Sequence, residues 1–274
     1  MSGMALRDLL AFAVEVAEGT GEVTLAHFRS GVDIELKPDT SPVTVADREA
    51  ERWARNLIEA RFPADGIIGE ELGSCRTEAP RRWILDPIDG TASYVRGVPL
   101  YGVLVAVEEG DQVVAGVLHF PALDETLAAA RGEGCLWNGA PARVSEVERL
   151  HDALILCTDA EELERRGHEP GWNRLRSRCS MVRTWGDCYG HALVASGRAE
   201  AMLDPILARW DAAALRPVVE EAGGVFTDWK GQATHRSDHA ISTNAALAGG
   251  VRELLGAKRE TPAVEAAPAA GKES

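Results

Sequence analysis

The chain carries the run Trp83-Ile84-Leu85-Asp86-Pro87-Ile88-Asp89-Gly90-Thr91, in which two carboxylates stand around a proline and a Gly-Thr pair follows. Gly69-Glu70-Glu71 lies just upstream and Trp210-Asp211 far downstream. Acids that converge from such separate places make a site for a hard cation, because carboxylate oxygens suit Mg2+ or Mn2+. Gly90-Thr91 reads as the opening of a helix, and the free N–H groups of a helix start attract phosphate. Metal and phosphate together point to phosphoryl hydrolysis.

Each motif also has a blander reading. Asp89-Gly90 is a common turn pair, and adjacent acids such as Glu70-Glu71 usually form a solvated face. Asp47 and Asp211 both suit the first turn of a helix, where acids cap N–H groups and complement the dipole. Context favours chemistry at Asp86 and Asp89. Apolar residues precede them, the stretch Val98 to Val107 after them is nearly all apolar, and acids set between core segments need partners. Proline also breaks a strand ladder, so the motif is expected to leave the strand before it. The segment Arg183-Thr184-Trp185-Gly186-Asp187-Cys188-Tyr189-Gly190 is either a loop entering a helix or the wall of a pocket for a polar organic group.

The elements that must position these residues alternate in type. Apolar spacing predicts a helix from about Met4 to Phe28, weakened by Gly19 and Gly21. Asp33 to Lys37 reads as a short strand, and Pro38 to Pro42 as a turn cluster. Thr44 is placed to cap a second helix running to Arg61, with Asp47 in its first turn. Ile67-Ile68 and Trp83 to Leu85 read as buried strands that end in acids. Gly102 to Val107 and Val113 to Phe120 form a hairpin, with a further strand at Leu127 to Arg131. Ala153 to Cys157 is strand-like, whereas Glu161 to Arg178 is polar and leaves its type open. Helices are expected at Tyr189 to Ser196, at Ala212 to Ala222 with its Gly223-Gly224 stop, and at Ala245 to Leu255. Brief strands fall at Val225 to Asp228 and Ala240 to Ser242. Mixed order of this kind means α/β or α+β layers. Residues 1–258 form the folded body, as two intimately packed halves, and 259–274 a compositionally distinct tail read as disordered.

The 274 residues carry 29 Lys plus Arg against 43 Asp plus Glu, a formal net charge of -14. That balance opposes bulk nucleic-acid binding, but bound divalent metals can invert the local field for an anionic substrate. Five scattered cysteines without a C-x-x-C pair read as reduced thiols in the cytoplasm. No signal peptide is seen, and the longest apolar stretch, Gly97 to Val107, is too short for a bilayer. The seven histidines show no zinc pattern. Nucleophile-elbow and P-loop signatures are missing as well.

Taken together, the three acidic motifs, with Tyr94, Arg96 and Glu221-Ala222-Gly223-Gly224, resemble the inositol monophosphatase family of metal-dependent phosphomonoesterases over residues about 5 to 256. Ser41 to Asp47, Tyr94 to Pro99, Arg183 to Gly190 and Gly223 to Trp229 are most like its bacterial histidinol-phosphatase branch. The resemblance implies a layered αβαβα sandwich and, commonly, a homodimer. It implies that Glu70, Asp86, Asp89, Asp211 and the carbonyl of Ile88 hold two or three Mg2+, with Mn2+ possible. Asp47 and Thr91, helped by Glu70, would orient and deprotonate the attacking water. Gly90 and Thr91 would bind phosphate, Glu71 would support the site, and Lys37 matches a lysine near the metals. Asp187 and Asp204 are expected to meet the cationic part of L-histidinol phosphate, with Trp185 as an apolar wall. An inositol or sugar phosphate is the alternative substrate, and a non-catalytic scaffold would be expected to have lost a metal ligand.

Overall fold

The computed structural model describes residues 5–30, 34–36 and 42–256. Its strands are β1 (Ile34–Leu36), β2 (Pro42–Thr44), β3 (Gly66–Gly69), β4 (Ser74–Cys75), β5 (Arg81–Asp89), β6 (Gly102–Glu109), β7 (Gln112–Phe120) and β8 (Glu125–Ala130). They continue with β9 (Gly134–Trp137), β10 (Ala140–Ala142), β11 (Leu154–Cys157), β12 (Met181–Arg183), β13 (Ala201–Asp204), β14 (Val225–Thr227) and β15 (Ala240–Thr243). The helices are α1 (Leu6–His27), α2 (Val45–Arg61), α3 (Thr91–Tyr94), α4 (Ala160–Arg165), α5 (Glu169–Arg176), α6 (Asp187–Ala195), α7 (Arg209–Glu221) and α8 (Ala248–Leu255).

An eight-stranded sheet runs in the order β10-β9-β8-β7-β6-β5-β3-β4, and a five-stranded sheet in the order β12-β11-β13-β15-β14. Every pair in the large sheet is antiparallel except β3 with β5. Strand β6 shows why the sheet must be covered on both faces. Val103, Val105 and Val107 pack with Leu9, Ala13 and Val16 of α1 and with Ala54 and Ile58 of α2. Leu104 and Ala106, pointing the opposite way, pack with α6 and α7 residues such as Ala192, Ala213 and Val218. Side chains alternate along a strand, so an all-apolar strand implies a layer on either side. On the far face of the small sheet, Trp172 and Leu175 of α5 and Val251 and Leu255 of α8 cover Ile155, Leu203 and Ile241. The result is the layered αβαβα sandwich expected from the resemblance.

Gly19 and Gly21, which weaken α1 by propensity, are there for contact. A Cβ on Gly19 would run into the indole of Trp53 on α2, and one on Gly21 would stand 2.5 Å from the His119 ring. The helix thereby gains a close approach to both neighbours. Six strands escape the sequence reading: β2, β4, β9, β10, β12 and β13. Each is two to four residues long, too short to express a period. Lys37 and the tail 259–274 lie outside the described residues. All five cysteines are free thiols. Among the described residues, no helix is long and apolar enough to cross a membrane.

Candidate active site

Because β3 and β5 are parallel neighbours, they deliver their C-terminal residues to one place. Glu70 follows β3 directly, and its N–H donates to the Leu85 carbonyl at 3.2 Å. Contrary to the expectation that the proline ends the strand, β5 continues through Pro87 to Asp89. It does so by changing register against β6 between Asp86 and Asp89, and Pro87, which has no N–H to give a ladder, sits in that irregularity. Residues three apart on a regular strand face opposite sides, so the irregularity is what lets the two acids converge. Asp86 Oδ1 accepts the Ile88 N–H at 3.0 Å, and the Ile88 carbonyl accepts the Thr91 hydroxyl at 3.0 Å.

Two further acids arrive at helix starts. Asp211 sits in the first turn of α7 and caps it through Oδ2, which accepts the Ala208 N–H at 2.7 Å. Asp47 does the same for α2, its Oδ2 accepting both the N–H and the hydroxyl of Thr44 at 2.7 Å. The capping reading therefore holds for both residues. One oxygen from each of Asp86, Asp89 and Asp211 lies within 4.8 Å of the other two. Glu70 adds its charge to Asp47, Asp86 and Asp211.

The electrostatic consequence is severe. Burial, then the charge of Asp211, pushes the Asp89 carboxyl up to about 8. Asp211 rises to about 7 by burial, with Glu70 and Asp204 adding. Asp86 is driven well above the carboxylate range by burial and by Glu70, Asp89 and Asp211. Asp47 is raised as well, burial outweighing its bonds to Thr44. No lysine or arginine is among the leading influences on Asp86, Asp89 or Asp211. A set of hard oxygen donors this crowded, with no cation among the leading influences from the described residues, fits Mg2+ or Mn2+.

A pH dependence follows. An acid whose folded pKa is raised makes folding most favourable below its unfolded pKa, about 3.9, and that stability is lost as pH rises through the folded value. Metal-free protein is therefore expected to unfold at a lower temperature at pH 8.5 than at pH 5, because Asp211 and Asp89 cross about 7 and about 8 in between. Mg2+ should raise the midpoint far more at pH 8.5. Thermal unfolding in EDTA and in Mg2+ at both pH values checks this; equal midpoints in EDTA would show that the cluster is not repulsive.

The other side of the site is built by Gly90 and α6. Gly90 has φ +81°, in the left-handed region that glycine enters without strain. A Cβ there would stand 3.1 Å from both Asp187 Oδ2 and the Leu100 carbonyl. Asp187, the first residue of α6, is itself left-handed at φ +52°, and its N–H donates to Thr158 Oγ1 at 3.0 Å. Burial raises its carboxyl well above the usual range, and Asp89 and Asp204 add to this. The next N–H, of Cys188, donates to Asp89 Oδ2 at 2.6 Å. Trp185 is 41% exposed beside this turn. Asp204, at the end of β13, is only 2% exposed. Its charge acts on both Asp89 and Asp187.

Two contributors escape the sequence reading. Glu51, fully buried on α2, accepts the Glu71 N–H at 2.6 Å and the Leu72 N–H at 3.2 Å, and so holds the loop that carries Glu70. Its spacing of four from Asp47 puts both acids on one helix face, a signal available in the sequence. Cys188 serves through its backbone, which no side-chain motif reveals.

The model of the inositol monophosphatase family matches residues 5–262. The chain belongs to this family. Within the family, the histidinol-phosphatase of Chlorobaculum parvum is 45% identical over 240 residues, 87% of this chain and 93% of that protein. The histidinol-phosphatase of Mycobacterium tuberculosis is 37% identical over 246 residues, 88% of this chain and 95% of that protein. Among solved inositol monophosphatase folds, the IMPase of Thermotoga maritima superposes with a TM-score of 0.82 at 32% identity, over 90% of this chain and 96% of that one.

Proposed function

We propose that this chain is a Mg2+-dependent phosphomonoesterase that hydrolyses L-histidinol phosphate to L-histidinol and phosphate, a step of histidine biosynthesis. The observation that carries the chemistry is the convergence of Asp86, Asp89 and Asp211 within 4.8 Å. The substrate is supported by the histidinol-phosphatases at 45% and 37% identity and by the acids Asp187 and Asp204, which suit a cationic amine or imidazole. An inositol or sugar phosphate is the second reading, favoured by a fructose-1,6-bisphosphatase/inositol-1-monophosphatase of Thermotoga maritima at 32% identity.

In this reading Glu70, Asp86, Asp89, Asp211 and the Ile88 carbonyl hold two or three Mg2+. A carbonyl has two lone pairs, so Ile88 can face a cation while accepting the Thr91 hydroxyl. When bound, the metal makes hydroxide available near neutral pH and stabilises the leaving alkoxide. Thr91 donates its only proton to Ile88 and keeps its lone pairs for the water, so it orients rather than deprotonates. Asp47 caps Thr44 with one oxygen and, together with Glu70, is the group left to take the proton. Gly90 and Thr91 hold the phosphate by backbone N–H groups. Glu71 supports the site, Trp185 walls the pocket, and Lys37 matches by sequence a lysine that the family carries near its metals. Residues 1–258 form the phosphatase domain. A cytoplasmic setting is supported by the free thiols, and a homodimer by the family resemblance alone.

Phosphate release from L-histidinol phosphate beside myo-inositol 1-phosphate, each with Mg2+ and with EDTA, tests the reading. The expected result is EDTA-sensitive release with a strong preference for L-histidinol phosphate. A preference for the inositol ester would keep the metal site and reject Asp187 as a specificity residue, whereas release from neither would reject the substrate assignment altogether.

A further inference from the structure

His191 is fully buried on α6, four residues after Asp187 and so on the same face of the helix. Its Nδ1 lies 2.6 Å from the hydroxyl of Ser242 on β15. The carboxylate of Asp204 facing Nε2 favours the tautomer with the ring proton there, in which the serine hydroxyl donates to Nδ1. That Nε2 is buried with no hydrogen-bond partner, yet it points at Asp204 Oδ2 from 3.6 Å. The other carboxylate oxygen, Oδ1, is held only by the Ile206 N–H at a long 3.4 Å.

Buried polar groups are ordinarily paired, and a donor left facing a buried carboxylate just beyond bonding distance calls for an explanation. The frame around the pair is rigid. Met202 of β13 pairs with Ser242, and Asp204 with Ala240, in the small sheet, while the ring of Phe226 lies 6.0 Å from the imidazole. Within that frame the Asp204 side chain is held by a single long bond, and its charge reaches Asp89 and Asp187.

We propose that His191, fixed by Ser242, is a positioning residue for substrate recognition, its Nε2–H holding the carboxylate of Asp204 in the orientation that receives the cationic part of the phosphate ester. This rests on the reading of the substrate as a cationic ester. A hydrogen bond on one oxygen of Asp204 fixes the direction of the other. The cation then meets an ordered, poorly hydrated acid instead of one that must reorganise.

The test compares kcat/KM for L-histidinol phosphate with that for p-nitrophenyl phosphate, which has no cationic group, in wild type, His191→Phe, His191→Gln and Ser242→Ala. The ratio of the two is expected to fall about tenfold in His191→Phe, mainly through KM, the scale of one hydrogen bond to a charged group. His191→Gln, whose amide can donate in place of the ring, should recover most of it, and Ser242→Ala should shift the ratio in the direction of His191→Phe by less. An equal change for both substrates, or a failure of glutamine to rescue, overturns the inference. Should His191→Phe not fold, an unchanged ratio in Ser242→Ala does the same. If wild type shows no preference for the cationic ester, the substrate reading falls first and visibly, and the inference falls with it.

Discussion

Asp89→Asn is expected to give a folded protein that has lost more than about 100-fold in kcat/KM with Mg2+, beyond the loss typical of residues that only support a metal ligand. The same substitution should raise the unfolding temperature of the metal-free protein. Both effects come from one fact: Asp89 lies in a buried group of carboxylates and is pushed up to about 8 by burial and by Asp211. Asparagine is isosteric and keeps an oxygen to accept the Cys188 N–H, which now reaches Asp89 Oδ2 at 2.6 Å. It removes the charge and replaces the second oxygen by an amide NH2. Without metal that charge is a liability, and each kcal/mol of relieved repulsion is worth roughly 2–4 °C in a chain of this size. With metal, in the proposed reading, it is a ligand. A structural role would lower both activity and stability; the opposed signs are particular to a cation site. Full turnover of Asp89→Asn in Mg2+ would sink the metal assignment, and a lower midpoint in EDTA would show that Asp89 is structural.

The acids of this site are legible in the sequence because burial of charge is costly, so Asp86 and Asp89 between apolar runs need a cation. The αβαβα layering is carried by the resemblance, and it has a physical basis in strands such as β6, whose residues are apolar on both faces. What stays hidden falls into two kinds. Short strands such as β12 and β13 exist only because β11 and β15 pair with them, so no local pattern announces them. Roles that depend on the backbone or on three-dimensional neighbours are hidden as well. Pro87 marks a break in register instead of a strand end, and Gly19 is explained only by the ring of Trp53. Glu51 reads as an ordinary helical acid until its carboxylate is found holding the Glu70 loop. Asp204 matches a position by spacing, but only the structure reveals its burial and its histidine neighbour.

Glu108→Gln is expected to lower stability by about 3 kcal/mol at pH 7, the lower end of the range for breaking a buried ion pair. Glu108 is 0% exposed in β6, and each of its oxygens is a junction. Oε1 accepts from His235 Nε2 at 3.1 Å and from Arg236 at 3.0 Å. Oε2 accepts from Arg82 Nε at 2.8 Å and from Arg209 at 2.7 Å. One acid thereby joins β5, β6, the start of α7 and the segment before β15. Burial alone would raise its pKa, but the hydrogen bonds of Arg82 and Arg236 and the charges of Arg209 and Arg82 prevail, holding the carboxyl at about 2. Glutamine fills the same space but leaves the arginines without their counter-charge and offers a single acceptor. Arg209 and Arg236 are partly exposed, so water screens part of the loss, which is why the lower end applies. The sign of the pH effect follows from the depressed pKa. The stabilisation is fully present above the ordinary glutamate pKa of about 4.3, and it is lost as pH falls toward the folded value of about 2. Wild type and variant should thus differ by roughly 6–12 °C in unfolding midpoint at pH 7, a gap that narrows as pH falls from about 4 toward about 2. Because Arg209 stands two residues before Asp211 in the first turn of α7, loosening it should also raise the Mg2+ concentration needed for half-maximal activity. Equal midpoints at pH 7 would mean that the arginines are satisfied by water and that the junction contributes nothing to the fold.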